Sequence, residues 1–150
     1  MANPRNIVNH MHVSPWDTIT MIADNSTITY DATKAGGSAQ VGLAVRMTTT
    51  DETVELVGDG EKVFGKLLKV EADLKCTVQW RGPMTLPGGT SATLTIGSAI
   101  VGDLLVSAEG YIQTAALSGG SYSQAEQNVQ EAARGIILNN DTTTAVVVVL

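Results

Sequence analysis

Residues 60–66, with the sequence GEKVFGK, match the first seven positions of the phosphate-binding pattern G-x-x-x-x-G-K-[ST]. Leu67 occupies the eighth position, where the pattern requires a hydroxyl side chain that binds magnesium. The pattern also requires a strand, a loop and a helix in that order, whereas the apolar residues Val63, Leu67 and Val70 indicate a strand. We therefore interpret the match as coincidental and predict no nucleotide cofactor.

Carboxylates are concentrated in residues 51–61, and paired carboxylates can catalyse glycoside hydrolysis or bind a hard cation. These acids lie in and beside two predicted turns, residues 48–52 and 58–60, where solvated acids are expected. Their spacing is sparser than that of a calcium-binding loop. The sequence favours a solvated surface and leaves open whether this stretch binds a cation. The acids are Asp51, Glu52, Glu55, Asp59 and Glu61.

Residues 1–16 are irregular in sequence and too short to hold a core, so they predict an N-terminal arm. The only histidines, His10 and His12, lie in this arm, and a catalytic base needs a fixed position. As an H-x-H pair they could share a metal ion, but the sequence offers no third ligand beside them. The single cysteine, Cys76, lies in an apolar alternation that indicates a buried structural thiol. We predict no enzymatic activity, no metal and no cofactor.

The charge balance limits the partners that the chain can bind. Its net charge is −6 and its basic residues are scattered, which argues against binding the phosphate backbone of nucleic acid. No apolar run approaches the roughly 18 residues that a membrane span needs, and residues 1–15 lack the apolar core of a secretory signal. We predict synthesis in the cytoplasm, with neither nucleic acid nor membrane as a partner.

The composition predicts an all-β fold, because 15 glycines, many Val and Thr residues and few aromatic residues favour short strands joined by tight turns. We expect residues 17–150 to form a single β-rich domain around one core, with one short helix at residues 123–134. Glycines and prolines in residues 81–89 predict an exposed loop. The predicted strands are residues 19–23, 26–30, 41–47, 53–57, 63–70, 74–80, 92–96, 99–107, 111–115, 136–138 and 144–150.

Turn residues predict how several of these strands pair. Asn25 predicts a hairpin of residues 19–23 with 26–30, and the reversal at residues 71–74 predicts an antiparallel pair within the long ribbon 54–80. Glu109-Gly110 predicts a turn between the strands at 99–107 and 111–115. The turn signal at residues 139–141 predicts a last hairpin.

Residues 145–150, with the sequence AVVVVL, show no polar alternation, so both faces of this strand should be buried. We expect the ribbon 54–80 to be the partner of this run. The barrel, a neighbouring subunit, both of these, or the helix 123–134 could bury its faces, whereas an open edge of this composition would promote aggregation. Trp16 is either a core residue or an interface anchor. The predicted oligomer interface consists of Trp16, Val146, Val148 and Leu150.

One resemblance to a known family follows from longer stretches of the chain. They are GDGEKVFGKLLKVEADLKCTVQWRG at 58–82, IGSAIVGDLLVSAEGYIQTA at 96–115, a small-residue helix ending in ARGIIL, and the strand TTTAVVVVL. Together they resemble capsid decoration or cement proteins of tailed bacteriophages, over residues 41–150. The resemblance implies a compact β-barrel or β-tulip-like domain outside the capsid, commonly a trimer, with an N-terminal arm that grips the major capsid protein.

The expected function is therefore that of a structural virion protein, made in the host cytoplasm, that stabilises the capsid from its exterior. The arm would dock by strand addition, with apolar side chains as anchors. A tail-tube or other virion structural protein is the first alternative, and a ligand- or glycan-binding β-domain that uses the acidic turns is the second. The arm residues expected to contact the capsid are Asn3, Pro4, Ile7, Val8, His10, His12 and Val13.

Overall fold

A computed structural model describes residues 17–90, 93–115, 124–141 and 145–149, the last of these by backbone pairing alone. The described residues are mainly β with one short helix, which confirms the predicted fold class. The strands are β1 (Thr18–Ala23), β2 (Ala44–Met47), β3 (Thr53–Leu56), β4 (Gly65–Val70), β5 (Lys75–Gln79), β6 (Pro83–Leu86), β7 (Ile100–Leu105), β8 (Ala108–Thr114), β9 (Ile136–Asp141) and β10 (Ala145–Val149). The helix is α1 (Gln124–Ala132).

Five strands close into a barrel in the order β1-β3-β2-β4-β5. The predicted pairing of the strands around residues 71–74 is confirmed, because β4 and β5 are antiparallel neighbours. β1 closes the barrel: it lies parallel to β3 at Ile22 and antiparallel to β5 along almost its whole length. Each strand of the barrel therefore has two hydrogen-bonded neighbours.

The predicted hairpin of residues 19–23 with 26–30 is wrong, because residues 26–30 form no strand. Asn25 does adopt the left-handed backbone (φ 56°), but the turn is held by the side chain of Asp24. The Asp24 carboxylate accepts hydrogen bonds from the amides of Thr27 (2.7 Å) and Ile28 (2.9 Å). These local bonds occupy donors that a hairpin would need, and β1 pairs with later strands instead.

The remaining strands form a three-stranded sheet in the order β6-β10-β9 and a two-stranded hairpin, β7-β8. The predicted loop at residues 81–89 is wrong in its middle, where β6 forms with Met84 and Leu86 buried. Pro83 is tolerated because it is the first residue of an edge strand, where its missing N–H costs no ladder bond. The predicted strand at 92–96 is also wrong, since residues 93–96 are irregular.

β10 does not join the barrel, which corrects the predicted pairing of the C-terminal run with residues 54–80. Its neighbours are β6 and β9, both antiparallel. The predicted last hairpin is confirmed by the β9–β10 pairing, but residues 139–141 are part of β9, and residues 142–144 lie outside the described part of the chain.

The turn between β7 and β8 lies at Val106 and Ser107, not at Glu109-Gly110 as predicted. Gly110 lies inside β8 with φ 95°, and its amide donates to the Val57 carbonyl oxygen (2.8 Å). A Cβ at Gly110 would lie 2.9 Å from Cβ of Leu43. The glycine is therefore required for close packing against the barrel, and the reversal falls on the residues beyond it.

Among the described residues, the buried apolar side chains form two clusters, and the expectation of a single domain stays a prediction. The barrel cluster contains Met21, Ala23, Ile28, Val45, Val54, Leu56, Leu67, Val70, Cys76 and Val78. The accessory cluster, beneath the other two sheets, contains Ala44, Val57, Val63, Met84, Leu86, Leu94, Ile100, Ile112 and Ile137. Adjacent residues of β2, Ala44 and Val45, belong to different clusters, so this strand forms the boundary between them.

Gly102 of β7 joins the accessory strands to the turn that precedes β4. Its amide donates to the Glu61 carbonyl oxygen (2.8 Å), and its own carbonyl oxygen accepts from the Gly60 amide (3.0 Å). A Cβ at this position would overlap the Gly58 carbonyl oxygen and lie 2.7 Å from Cγ2 of Val57. Only glycine allows the two backbones to approach this closely.

We expect Gly102→Ala to lower the free energy of unfolding by about 3 kcal/mol, because the added methyl group must displace backbone atoms. Gly60→Ala is the matched control: no atom lies within 4 Å of its Cβ position, so only the left-handed backbone (φ 68°) opposes it. That strain costs about 1 kcal/mol. Urea unfolding measures both, and equal losses for the two variants would contradict the close contact.

Candidate functional site

Arg46 of β2 forms the centre of a cluster of charged side chains on the described surface. It lies directly opposite Glu55 of β3, and its Nη2 forms an ion pair with Oε1 of Glu55. Arg46 Nε lies 2.8 Å from Glu61 Oε2 without the alignment of a hydrogen bond. The same Glu61 oxygen accepts a hydrogen bond from the Gly58 amide (2.8 Å). Arg46 therefore ties two barrel strands to the turn before β4.

The acidic stretch at residues 51–61 is thus divided by the fold. Glu55 and Glu61 both pair with Arg46, whereas Asp51 and Glu52 are exposed at the turn between β2 and β3. Asp59 accepts a hydrogen bond from Nε2 of Gln113 (2.8 Å). Within the described residues, no group of three or more His, Cys, Asp or Glu side chains is arranged to hold a metal ion.

Two cavities flank Arg46 and Glu61, which contribute to the walls of both. The larger one has a volume of about 450 Å³ and is lined by Arg46, Met47, Glu61, Lys62, Phe64 and Arg134; we call it the basic cavity. The smaller one has a volume of about 320 Å³, and its polar lining is mainly carboxylate: Glu55, Asp59, Glu61 and Glu109. Opposite charges therefore line the two sides of one ion-pair cluster.

Arg134 reaches the basic cavity from a distant part of the sequence. Its backbone amide and carbonyl groups both bond to Ile100, at 3.0 Å each, which fixes its position beside β7. Lys62 lies in the irregular segment before β4 and is exposed. Lys62 and Arg134 could not be assigned to one site from the sequence, because they are 72 residues apart and only tertiary packing brings them together. The Arg46–Glu55 pair had a local signal, since both lie at facing positions of predicted strands.

The near-match to a phosphate-binding loop has a strand where that motif needs a helix. β4 begins at Gly65, and Leu67, at the failed position of the pattern, is fully buried in the barrel. Lys66 is half-buried, and this burial lowers the pKa of its ammonium group. The interpretation of the match as a structural strand is confirmed.

Cys76 is buried, as predicted, with 1% of its surface exposed in the barrel core. Burial raises the pKa of its thiol to about 11, and a backbone hydrogen bond with Met21 opposes this shift. The thiolate, which is the nucleophilic form, is therefore suppressed at neutral pH.

The arm residues and part of the predicted interface lie outside the described residues. They are Asn3, Pro4, Ile7, Val8, His10, His12, Val13, Trp16 and Leu150. Val146 and Val148 are described by backbone register only, which places Val146 opposite Leu86 and Val148 opposite Met84. Among the described strands, β10 pairs only with β6 and β9, neither of which carries a member of the Arg46 cluster.

The first described residue, Asp17, is fixed where β1 meets the end of β5. Its carbonyl oxygen accepts a hydrogen bond from the Trp80 amide (3.0 Å), and its Oδ1 lies 3.0 Å from Nε of Arg81. The Arg81 guanidinium also lies over the half-buried Trp80 ring, 5.5 Å from its centroid. Residues 1–16 therefore join the barrel at an ordered, charged junction.

Comparisons with known proteins return no relative for this chain. No protein-family model matches it, and neither a curated protein nor a solved structure is significantly similar to it. Among the described residues, no helix is long and apolar enough to cross a membrane. The class that the structure itself defines is a mainly β protein with a closed five-stranded barrel.

A double-mutant cycle on Arg46→Gln and Glu55→Gln should give a coupling free energy of about 1 kcal/mol, because this cross-strand pair is only partly exposed. The matched control is the fully exposed Lys75–Asp73 pair, for which we expect no measurable coupling. Urea unfolding of each variant supplies the values, and equal coupling in both cycles would show that Arg46 is an ordinary surface charge.

Stability should fall with rising pH through the Cys76 thiol. Its ordinary pKa is 9.0 and its folded value is about 11, so between these values the unfolded chain loses the thiol proton while the folded chain keeps it. Relative to Cys76→Ala, the free energy of unfolding should fall by about 2 kcal/mol by pH 11. Urea unfolding from pH 8 to 11 tests this, and parallel curves for the two proteins would contradict the buried, protonated thiol.

Proposed function

We propose that this chain is a non-catalytic virion protein that binds the outer surface of a bacteriophage capsid and stabilises the shell by bridging capsid subunits. The proposal rests on the resemblance of residues 41–150 to capsid decoration proteins. The closed barrel supports it, because closure leaves none of these five strands with a free edge that could pair with a neighbouring copy.

The anchoring of Asp17 is the structural observation that supports the proposal. β1 follows Asp17 directly, and hydrogen bonds hold it on both sides, to β5 and to β3. The Asp17–Arg81 ion pair and the Asp17–Trp80 backbone bond add to this attachment. A force that pulls on residues 1–16 would therefore be transmitted through β1 to its neighbours β3 and β5.

In this proposal the arm adds a strand to the major capsid protein, with the side chains of Ile7, Val8 and Val13 as anchors and Asn3, Pro4, His10 and His12 as further contacts. The chain itself acts as a homotrimer, with Trp16, Val146, Val148 and Leu150 at its interface. The three arms of one trimer would each bind weakly and together bind tightly, because binding of the first arm raises the effective concentration of the other two at the capsid.

Deletion of residues 1–16 should leave a folded barrel that no longer binds capsids, because Asp17 and all described strands remain. Circular dichroism and thermal unfolding verify the fold, and co-sedimentation with purified capsids measures binding. We expect at least a hundredfold loss of apparent affinity, since the loss of avidity multiplies the loss of each arm. Undiminished decoration by the truncated chain would exclude the arm as the capsid-binding element.

Substitutions in the full-length chain separate arm sequence from arm length. Replacing Ile7, Val8 and Val13 together by Asp should abolish binding, whereas replacing the same three residues by Leu should retain most of it, because the anchors remain apolar. Light scattering on the same samples measures the oligomer. A closed trimer agrees with the proposal, and growth into rings or stacks would indicate a tube-forming protein instead.

A further inference from the structure

The basic cavity combines an excess of positive charge with apolar walls. Among the described residues, three cationic side chains and one carboxylate line it, and Glu55 also pairs with Arg46, which leaves a net charge of +1 in a chain whose total is −6. Positive charge is therefore concentrated at this cavity, although the chain as a whole is acidic. Such a local field attracts anions that the remaining surface repels.

Lys62 and Arg134, the other two cations of the basic cavity, have no ion-pair partner in the described part of the chain. Glu55 and Glu61 both pair with Arg46, and none of the ion pairs there includes Lys62 or Arg134. An anion placed in this cavity would therefore meet two positive charges that no carboxylate of the described residues pairs with.

Met47 and Phe64 form the apolar part of the wall. Met47 is 40% exposed although it is a large apolar residue, and Phe64 is partly buried against the barrel core. Methionine adapts its shape to different ligands, and a cavity of about 450 Å³ lies within the size range of small-ligand sites. The wall therefore fits an apolar group that accompanies the anion.

We propose that the basic cavity binds an acidic side chain and its apolar neighbour in a partner polypeptide. A single carboxylate matches this net charge of +1, whereas a polyphosphate would be repelled by the carboxylates of the adjoining cavity. Arg134 and Lys62 hold the carboxylate, and Met47 and Phe64 contact the apolar neighbour. None of these four residues belongs to residues 1–16, and the inference stands whether or not the chain binds capsids.

The probe is the blocked dipeptide N-acetyl-Glu-Phe-amide, titrated into the full-length protein and followed by NMR at the Met47 methyl group and the Arg134 amide. We expect saturable shifts at both positions, with a dissociation constant of about 1 mM, which is typical of so small a ligand. The neutral analogue N-acetyl-Gln-Phe-amide should bind about tenfold more weakly, because it lacks the charge.

Arg134→Gln and Lys62→Gln should each weaken binding of the acidic dipeptide by about fivefold. Lys34→Gln is the matched control, because it removes one positive charge from an exposed site outside this cavity and should leave the affinity unchanged. Lys62 is exposed, so its variant keeps the test valid if Arg134→Gln perturbs the fold.

Three results would overturn the proposal. Equal binding of the neutral dipeptide would show that the carboxylate does not contribute to binding. An equal loss of affinity in Lys34→Gln would show that only total charge matters. Inorganic phosphate that binds as tightly as the acidic dipeptide would make the cavity a general anion site without preference for a peptide.

Discussion

The closure of the barrel by β1 is the constraint on which the rest of the structure depends. This strand lies between β3 and β5, which are otherwise the free edges of a four-stranded sheet. Its inward residues Met21 and Ala23 complete the barrel core, in which Cys76 is held as a protonated thiol. Without β1 both edges would be open and the core would be exposed on one side, so β1 and the other four strands form a single cooperative unit.

The second half of the molecule is built onto this barrel through backbone contacts at β2 and β7. Ala44 and Val45 face different apolar clusters, and Gly102 brings β7 against the turn that carries Glu61. Arg46 lies at the same boundary and binds Glu61 from the barrel side. The basic cavity is a consequence of this joint, because Arg134 is positioned by its backbone bonds to β7 while Arg46 and Lys62 belong to the barrel side.

The sequence was informative where structure is local and uninformative where it depends on distant partners. The β4–β5 hairpin and the burial of Cys76 follow from alternation around one turn. The partners of β1 could not be inferred, because β3 and β5 lie about 30 and 55 residues away and the Asp24 side chain holds the turn that resembled a hairpin. The predicted turn at Gly110 is wrong because this glycine allows close packing against the barrel rather than a reversal of the chain. Of the candidate site, only the facing pair Arg46 and Glu55 could be predicted from the sequence. Arg134 joins the site only through tertiary packing.

We propose that the barrel is held on the outside of a capsid by residues 1–16. The most direct measurement is a cryo-electron microscopy reconstruction of capsids from a phage that encodes this chain, with the purified protein in excess. The account predicts density for the closed barrel on the outer surface, with the chain before Asp17 continuing as a strand added to a capsid subunit. Bare capsids under these conditions, or density confined to the tail, would contradict it.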